Sequence, residues 1–189
     1  MTNATTTPAT LADLSGSYTL DPTHTRIGFV ARHAMVTKVR GQFNEFDGSA
    51  VIDADDFTRS SAQLTIQAAS IDTRNEQRDG HLRSNDFLAL EEYPQITFVS
   101  TAVAQTGATS LELTGELTIK GVTRPVTVPF EFEGAATDPY GNLRVGFEGS
   151  VVINRKDYGV SWNAALETGG VLVSEKITLE FEVSAIKNA

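Results

Sequence analysis

The sequence predicts an all-β protein, an antiparallel barrel of about eight strands with one short helical excursion near residues 73–92. Two observations predict this fold. Apolar and polar residues alternate through most of the chain, as at residues 61–68 and 126–132, and this period of two gives each strand one dry and one wet face. Short turns separate the alternating segments, and a closed barrel joins that many strands without leaving an open edge.

The alternating segments define the strands in order. The segment 41–53 is expected to be one long bulged strand, because Phe43 and Phe46 are out of phase by one residue. The predicted strands cover residues 17–20, 25–31, 41–53, 61–68, 95–104, 111–119, 126–132, 143–153 and 177–183. Twelve of their apolar residues are expected to point into one barrel, namely Ile27, Phe29, Leu64, Ile66, Leu113, Leu117, Val128, Phe130, Val145, Phe147, Leu179 and Phe181.

The excursion breaks the alternation between two strands. Thr73 and Glu76 have the spacing of a capping box at the start of a helix. Gly80 is expected to interrupt that helix or to end its first turn. A second N-cap at residues 84–86 predicts another turn, and Pro94 marks the return to a strand.

Composition limits the function classes. The 189 residues suit one domain, expected at residues 15–189 after a disordered tail at residues 1–14. A net charge of −9 argues against nucleic acid and against simple electrostatic docking to anionic lipid. No apolar run approaches the ~20 residues of a membrane span, so we expect no integral membrane segment. The N-terminus lacks the features of a secretory signal, which predicts a cytoplasmic protein.

No catalytic signature is present. The sequence holds no Cys, and it lacks the nucleophile elbow, the dinucleotide and phosphate-binding glycine motifs and HExxH. We therefore predict no catalytic residue, no metal and no cofactor. His24 is best explained as a turn residue. His33 could line a barrel mouth or be a satisfied polar residue, and His81 could contact the polar end of a ligand.

The arginines of the excursion have two interpretations. They could pair with neighbouring carboxylates on a solvated face, or they could bind an anionic group near a helix N-terminus. The hypothesis for the second case is that Arg78, His81 and Arg83 hold a head group at the barrel mouth. Leu82 and Phe87 would then pack inward as anchors.

An ordered set of motifs resembles the YceI-like family of lipocalin-like, polyisoprenoid-binding proteins. The matching residues are 18–29 (YTLDPTHTRIGF), His33, 41–48 (GQFNEFDG), 69–73 (ASIDT), 78–82 (RDGHL), 85–87 (NDF), 93–98, 115–121 (GELTIKG) and 154–159 (NRKDYG). The resemblance implies a lipocalin-like antiparallel barrel with a long apolar chamber that carries an isoprenoid or another long amphiphile. Many members are periplasmic with a signal peptide, and this N-terminus departs from them. The family offers no settled catalytic residues.

The sequence thus favours a non-enzymatic carrier of a long-chain isoprenoid or fatty-acid-like molecule, with a homodimer possible. The alternatives are an enzyme acting on such a lipid, with His33 or His81 as its acid or base, and a filled barrel that serves as a stress or interaction module. The predicted ligand-binding residues are Ile27, Phe29, His33, Phe46, Leu64, Ile66, His81, Leu82, Arg83, Phe87, Phe98, Leu117, Phe130, Phe147, Trp162 and Phe181.

Overall fold

The computed structural model describes residue 8 and residues 10–189. Short 3-10 helices cover Leu11–Asp13, Phe57–Arg59, Ala68–Ser70 and Arg155–Tyr158. The strands and the helix, in chain order, are β1 (Gly16–Leu20), β2 (Arg26–His33), β3 (Thr37–Phe43), β4 (Phe46–Ile52), β5 (Ser61–Gln67), β6 (Ile71–Asp72), α1 (Glu76–Arg83), β7 (Gln95–Gln105), β8 (Ser110–Ile119), β9 (Val122–Thr137), β10 (Leu143–Asn154) and β11 (Lys176–Lys187).

Eight antiparallel strands close into a barrel, as predicted. Their order is β1, β4, β5, β7, β8, β9, β10 and β11, and pairing between β1 and β11 closes the ring. Strand β11 also pairs with β2, because β1 and β2 lie end to end along it: Leu20 faces Ala185 and Arg26 faces Glu182. Strands β3 and β6 extend the sheet beyond β2.

The expected single strand over residues 41–53 is wrong. β3 begins earlier, at Thr37, and the chain breaks at Asn44 and Glu45 before β4. The backbone at this break bonds to the end of β5 and to the 3-10 helix that follows it. The Asn44 N–H donates to the carbonyl of Ser70 at 3.2 Å, and the Glu45 carbonyl accepts from the Gln67 N–H at 2.9 Å. The phase change between Phe43 and Phe46 therefore marks a strand break.

The lower end of the barrel, where β1 begins, is closed by a compact apolar cluster. Leu11 and Leu14 are fully buried there beside Tyr18 and Phe57. The Tyr18 hydroxyl donates to the Leu14 carbonyl at 2.8 Å, which holds the segment in place. Residues 11–14 are thus packed into the barrel end, whereas they were expected to belong to a disordered tail. Residues 1–7 and 9 of that expected tail lie outside the described part.

The upper end carries α1, whose start also differs from the prediction. Asn75, not Thr73, is the N-cap, and its side chain accepts from the Arg78 N–H at 2.9 Å. Thr73 instead donates its hydroxyl to the buried Asp79 carboxylate at 2.5 Å. Gly80 lies inside the helix, and no second helix follows Arg83 up to β7. Residues 84–93 form hydrogen-bonded turns, and the predicted turn is among them: the Phe87 N–H donates to the Ser84 carbonyl at 3.0 Å.

A charged network joins two turns at the lower half of the barrel. Arg144 contacts the Asp21 carboxylate at 2.5 Å and the Asp138 carboxylate at 2.9 Å. Asp21 also accepts from the backbone N–H of Thr23 at 3.0 Å. These contacts outweigh the opposing effect of burial and hold the pKa of Asp21 well below its ordinary value. Hydrogen bonds from Asn142, chiefly from its backbone N–H, lower the pKa of Asp138 to about 2.

This network makes stability depend on acid pH. Both carboxyls bind protons less readily in the folded chain than in the unfolded one, where the pKa is near 3.8. Their stabilisation is therefore complete above about pH 4 and is lost as the pH falls through the folded pKa values. We expect Asp21→Asn to lower the free energy of unfolding by about 2 kcal/mol at neutral pH and to flatten its decline below pH 4. Urea unfolding at a series of pH values measures both effects.

Asp55→Asn is the matched control, because Asp55 is exposed and makes no ion pair with any described residue. Equal pH profiles for the Asp21 and Asp55 variants would contradict the assignment to this network.

Candidate functional site

The barrel encloses a cavity of ≈ 330 Å³. This volume lies within the usual range for small-molecule sites in proteins. The lining is almost entirely apolar and extends from Tyr18 and Val103 in the lower cluster to Leu82 and Phe87 of the excursion. All twelve residues that were expected to point into one barrel line this cavity. The shared phase of the strands therefore predicted the interior correctly.

Three phenylalanine rings lie against glycines of neighbouring strands. The pairs are Phe29 with Gly41, Phe98 with Gly115 and Phe130 with Gly149. A Cβ atom on Gly41 would stand 2.3 Å from Cζ of Phe29, much closer than two carbon atoms can approach. Each ring therefore occupies the space that a neighbouring side chain would take, and it lies along the wall. This packing keeps large side chains out of the centre of the barrel.

The excursion packs its apolar residues onto the upper end of the cavity. Leu82, Phe87 and Leu88 line it, which is the placement expected for the anchors Leu82 and Phe87. The Phe87 ring also packs against Trp162, with ring centroids 5.4 Å apart. The His81 ring meets the Trp162 ring edge to face, with ring centroids 4.6 Å apart. The excursion and the segment after β10 thus form one aromatic contact above the barrel.

The basic residues of the excursion are engaged in holding it together. Arg78 donates to the hydroxyl and to the carbonyl oxygen of Thr73, each at 2.7 Å. Arg83 donates to the Ala69 carbonyl at 3.2 Å. His81 lies 2.9 Å from the Asp86 carboxylate. These contacts favour the structural interpretation of the three side chains over a role in binding a head group.

A buried cation lies at the upper end of the cavity. Arg155 is only 5% exposed, and its guanidinium makes four hydrogen bonds to backbone carbonyls. These acceptors are the carbonyl oxygens of Ser174 and Val160 at 2.8 Å, Trp162 at 2.9 Å and Val173 at 3.3 Å. A guanidinium has five N–H groups, so one remains. No described carboxylate forms an ion pair with it, and burial lowers the pKa of Arg155.

The Tyr158 side chain is the second polar group at this end. Tyr158 lines the cavity and is only 2% exposed. No hydrogen bond joins its hydroxyl to a residue that the structure describes, whereas the Tyr18 hydroxyl at the lower end donates to the Leu14 carbonyl. Burial raises the pKa of the Tyr158 hydroxyl, with a smaller contribution from Asp157. Tyr158 therefore stays neutral and keeps both its donor and its acceptor capacity.

The predicted ligand-binding residues divide into two groups. Those that line the cavity are Ile27, Phe29, Leu64, Ile66, Leu82, Phe87, Phe98, Leu117, Phe130, Phe147 and Phe181. Those outside the lining are His33, Phe46, His81, Arg83 and Trp162. Phe46 is buried in the apolar cluster that contains Ile27, Ile66 and Phe87, and His33 is exposed on the β2–β3 hairpin. His24 bonds to Asp21 at 2.7 Å, as expected for a turn residue.

Sequence reasoning gave no role to Arg155 and Tyr158. Both belong to the stretch 154–159, in which Asn154 caps a 3-10 helix and Gly159 ends it with φ 72°. An arginine that directly follows a long alternating strand was the available signal, because such a position lies at a barrel rim. Alternation alone could not show that the side chain turns inward.

The described residues hold no cluster of three or more metal-ligating side chains that could bind a metal ion. None of the described helices is long and apolar enough to cross a membrane.

Comparison with known proteins identifies the family. The model of the YceI-like domain matches residues 18–185. A UPF0312 protein of Staphylococcus aureus is 40% identical over 170 residues, which cover 89% of this chain and 95% of that protein. BcnA of Burkholderia cenocepacia superposes with a TM-score of 0.77 at 27% identity, covering 87% of this chain and 98% of that one.

A domain from Saccharophagus degradans has the same fold at 15% identity, with a TM-score of 0.69 over 92% of this chain and all of that one (100%). The closed eight-stranded barrel, the apolar cavity and the match over residues 18–185 agree with one another. The chain therefore belongs to the YceI-like family.

Proposed function

We propose that this protein is a non-enzymatic carrier of a long-chain isoprenoid or similar amphiphile, which it holds inside the barrel. The observation that carries the proposal is the apolar cavity of ≈ 330 Å³. Burial of one methylene contributes about 0.8 kcal/mol, so a chain of several isoprene units would bind without specific polar contacts. A filled barrel acting only as an interaction module is disfavoured by the same cavity.

The composition of the cavity supports carriage over catalysis. His33 and His81, the candidate acids or bases of the enzyme alternative, both lie outside the lining. Arg155 is a poor proton carrier because a guanidinium stays protonated. The S. degradans neighbour is described as a polyisoprenoid binding domain. At 15% identity it supports the fold alone, so the choice of ligand rests on the cavity.

The polar end of the ligand is proposed to lie at Arg155 and Tyr158. Arg155 brings a buried positive charge with one unused N–H, and Tyr158 brings a hydroxyl without a protein partner among the described residues. Both groups favour an oxygen atom, such as that of a hydroxyl, carbonyl or quinone. The tail would then extend toward the lower cluster at Leu11 and Leu14.

The first test fills the cavity. Val126 lines it, and Val126→Trp would occupy the space of the ligand chain. We expect several-fold less lipid by mass spectrometry of an organic extract of the purified protein. Added isoprenoid should also raise the melting temperature of the unmodified chain, because the ligand binds only the folded state, and should raise that of the variant much less.

Val152→Trp is the control for this substitution, because Val152 is exposed on the same barrel. The proposal fails if the unmodified chain neither carries nor takes up an apolar molecule. It fails equally if the two tryptophan variants bind alike.

The second test uses the glycine that faces Phe29. Gly41→Ala should push the Phe29 ring toward the centre of the cavity, because the three atoms nearest the new Cβ all belong to that ring, at 2.3, 2.7 and 2.9 Å. We expect a lower affinity for a long isoprenoid and a partial recovery when Phe29→Leu is added. Gly146→Ala is the control, since its Cβ would meet no atom closer than 3.8 Å. If Phe29→Leu restores no affinity, the loss caused by Gly41→Ala comes from distortion of the strand and not from the displaced ring.

The third test separates head group from tail. Tyr158→Phe removes only the hydroxyl, and a neutral hydrogen bond contributes about 0.5–1.5 kcal/mol. Binding of a long isoprenoid alcohol should weaken about two- to tenfold, while an isoprenoid hydrocarbon of equal carbon number should bind as before. Calorimetric or fluorescence titration of both ligands measures this. Equal losses for both would refute the head-group assignment and leave the carrier proposal standing.

A further inference from the structure

The hairpin between β2 and β3 presents apolar side chains to water. Met35 is 55% exposed and Val36 is 75% exposed, both at its tip. Ala34 and Met35 adopt left-handed backbone angles, with φ of 51° and 62°, which side chains other than glycine and asparagine rarely take. The Val36 N–H donates to the His33 carbonyl at 3.0 Å, and the Ala34 N–H donates to the Leu172 carbonyl at 2.7 Å. The fold therefore holds this tip in a fixed, outward position.

The same hairpin is locally basic in an acidic chain. Residues 22–43 contain four Arg or Lys residues and no Asp or Glu, against a net charge of −9 for the whole chain. Arg26 and Arg40 both contact Glu180, at 3.7 and 3.2 Å. Arg32 and Lys38 form no ion pair with any described residue. They are also register partners on opposite strands, an arrangement of like charges that destabilises a sheet.

The wall of the barrel has the opposite charge. Glu148 on β10 pairs in register with Glu131 on β9 and with Glu182 on β11. Three carboxylates thus form a row across the outer surface. An anionic surface would repel this wall and attract the hairpin, so the field of the protein itself selects one orientation.

The hairpin adjoins the upper end of the cavity. The Ser174 N–H donates to the Arg32 carbonyl at 3.0 Å, and His33 forms a bridge with Val173. Ala31 and Val173 both line the cavity. A surface that binds the hairpin therefore lies next to the end where Arg155 and Tyr158 are found.

We propose that the β2–β3 hairpin docks this protein on an anionic phospholipid bilayer. Met35 and Val36 enter the boundary between head groups and acyl chains, and Arg32 and Lys38 contact the phosphates. Two apolar side chains combined with two free cations give weak, salt-sensitive and reversible binding. This inference does not depend on the ligand of the cavity, and it modifies the expectation that a net charge of −9 argues against simple electrostatic docking to anionic lipid. The charge is distributed so that one end can dock.

The test is cosedimentation of the full chain with vesicles. Vesicles of phosphatidylcholine mixed with phosphatidylglycerol should bind the protein at low salt, and vesicles of phosphatidylcholine alone should not. Arg32→Gln with Lys38→Gln should weaken binding about tenfold and reduce its salt dependence. Met35→Gln with Val36→Gln should weaken binding several-fold and leave the salt dependence in place.

Tyr140→Ser is the matched control, because Tyr140 is 89% exposed in the turn between β9 and β10, at the other end of the barrel. It should bind vesicles like the unmodified chain. Matching melting temperatures show that all variants fold. The proposal is overturned if the unmodified chain ignores mixed vesicles, or if both hairpin variants bind them unchanged.

Two other binding partners of the hairpin would give different results in these experiments. If the hairpin binds a second copy of the chain, sedimentation equilibrium will show a dimer that both variants lose, without vesicle binding. If it binds acidic proteins, soluble polyglutamate will bind as tightly as vesicles, and Met35→Gln with Val36→Gln will have no effect. Either result overturns membrane docking.

Discussion

The structure depends on a packing constraint inside the barrel: large aromatic rings must lie along the wall. A ring of eight strands is just wide enough for side chains to fill its interior completely. Here Phe29, Phe98 and Phe130 each lie against a glycine of a neighbouring strand. The glycines weaken their strands, because they lose more backbone entropy on folding than other residues. In return the rings stay out of the centre, and an apolar cavity remains where a solid core would otherwise form.

The two ends of the barrel are stabilised by different kinds of interaction. At the lower end, Leu11, Leu14 and Phe57 make a conventional core that closes the barrel. At the upper end, the buried polar groups Asp79 and Arg155 fix segments that have few neighbours of their own. Arg155 binds four carbonyls of one irregular segment, which replaces the missing strand pairing there. The apolar core of the lower end is thus separated from the buried polar groups of the upper end.

Much of this fold follows from local sequence. The parts that could not be predicted from it have identifiable physical causes. Alternation predicted most of the strands and all twelve inward residues, because a period of two has only one solution when one face is dry. The break at Asn44 could not be predicted, since it arises from bonds to Ser70 and Gln67, far away in the chain. The burial of Leu11 and Leu14 likewise depends on an open barrel end that no local pattern reveals.

The candidate site was less accessible to sequence reasoning than the barrel. Most of the apolar residues that were predicted to bind the ligand line the cavity, because in a barrel the core and the chamber are the same surface. Its polar part was expected at Arg83 and His81, whose charge is conspicuous but which bond to the Ala69 carbonyl and to Asp86. Arg155 and Tyr158 are unremarkable in the sequence. Their proposed role rests on burial, which depends on tertiary packing.

The closed lower end has a kinetic consequence. In the proposed carrier, a guest whose polar end lies at Arg155 and Tyr158 would leave by the upper end, because the lower cluster closes the other end. Its tail would be withdrawn from the barrel progressively. Each methylene returned to water adds about 0.8 kcal/mol to the barrier, which slows escape about fourfold. Dwell time then grows geometrically with tail length. Under the proposed carrier function, the barrel would therefore sort lipids by dwell time: short chains would exchange quickly, and long chains would be retained.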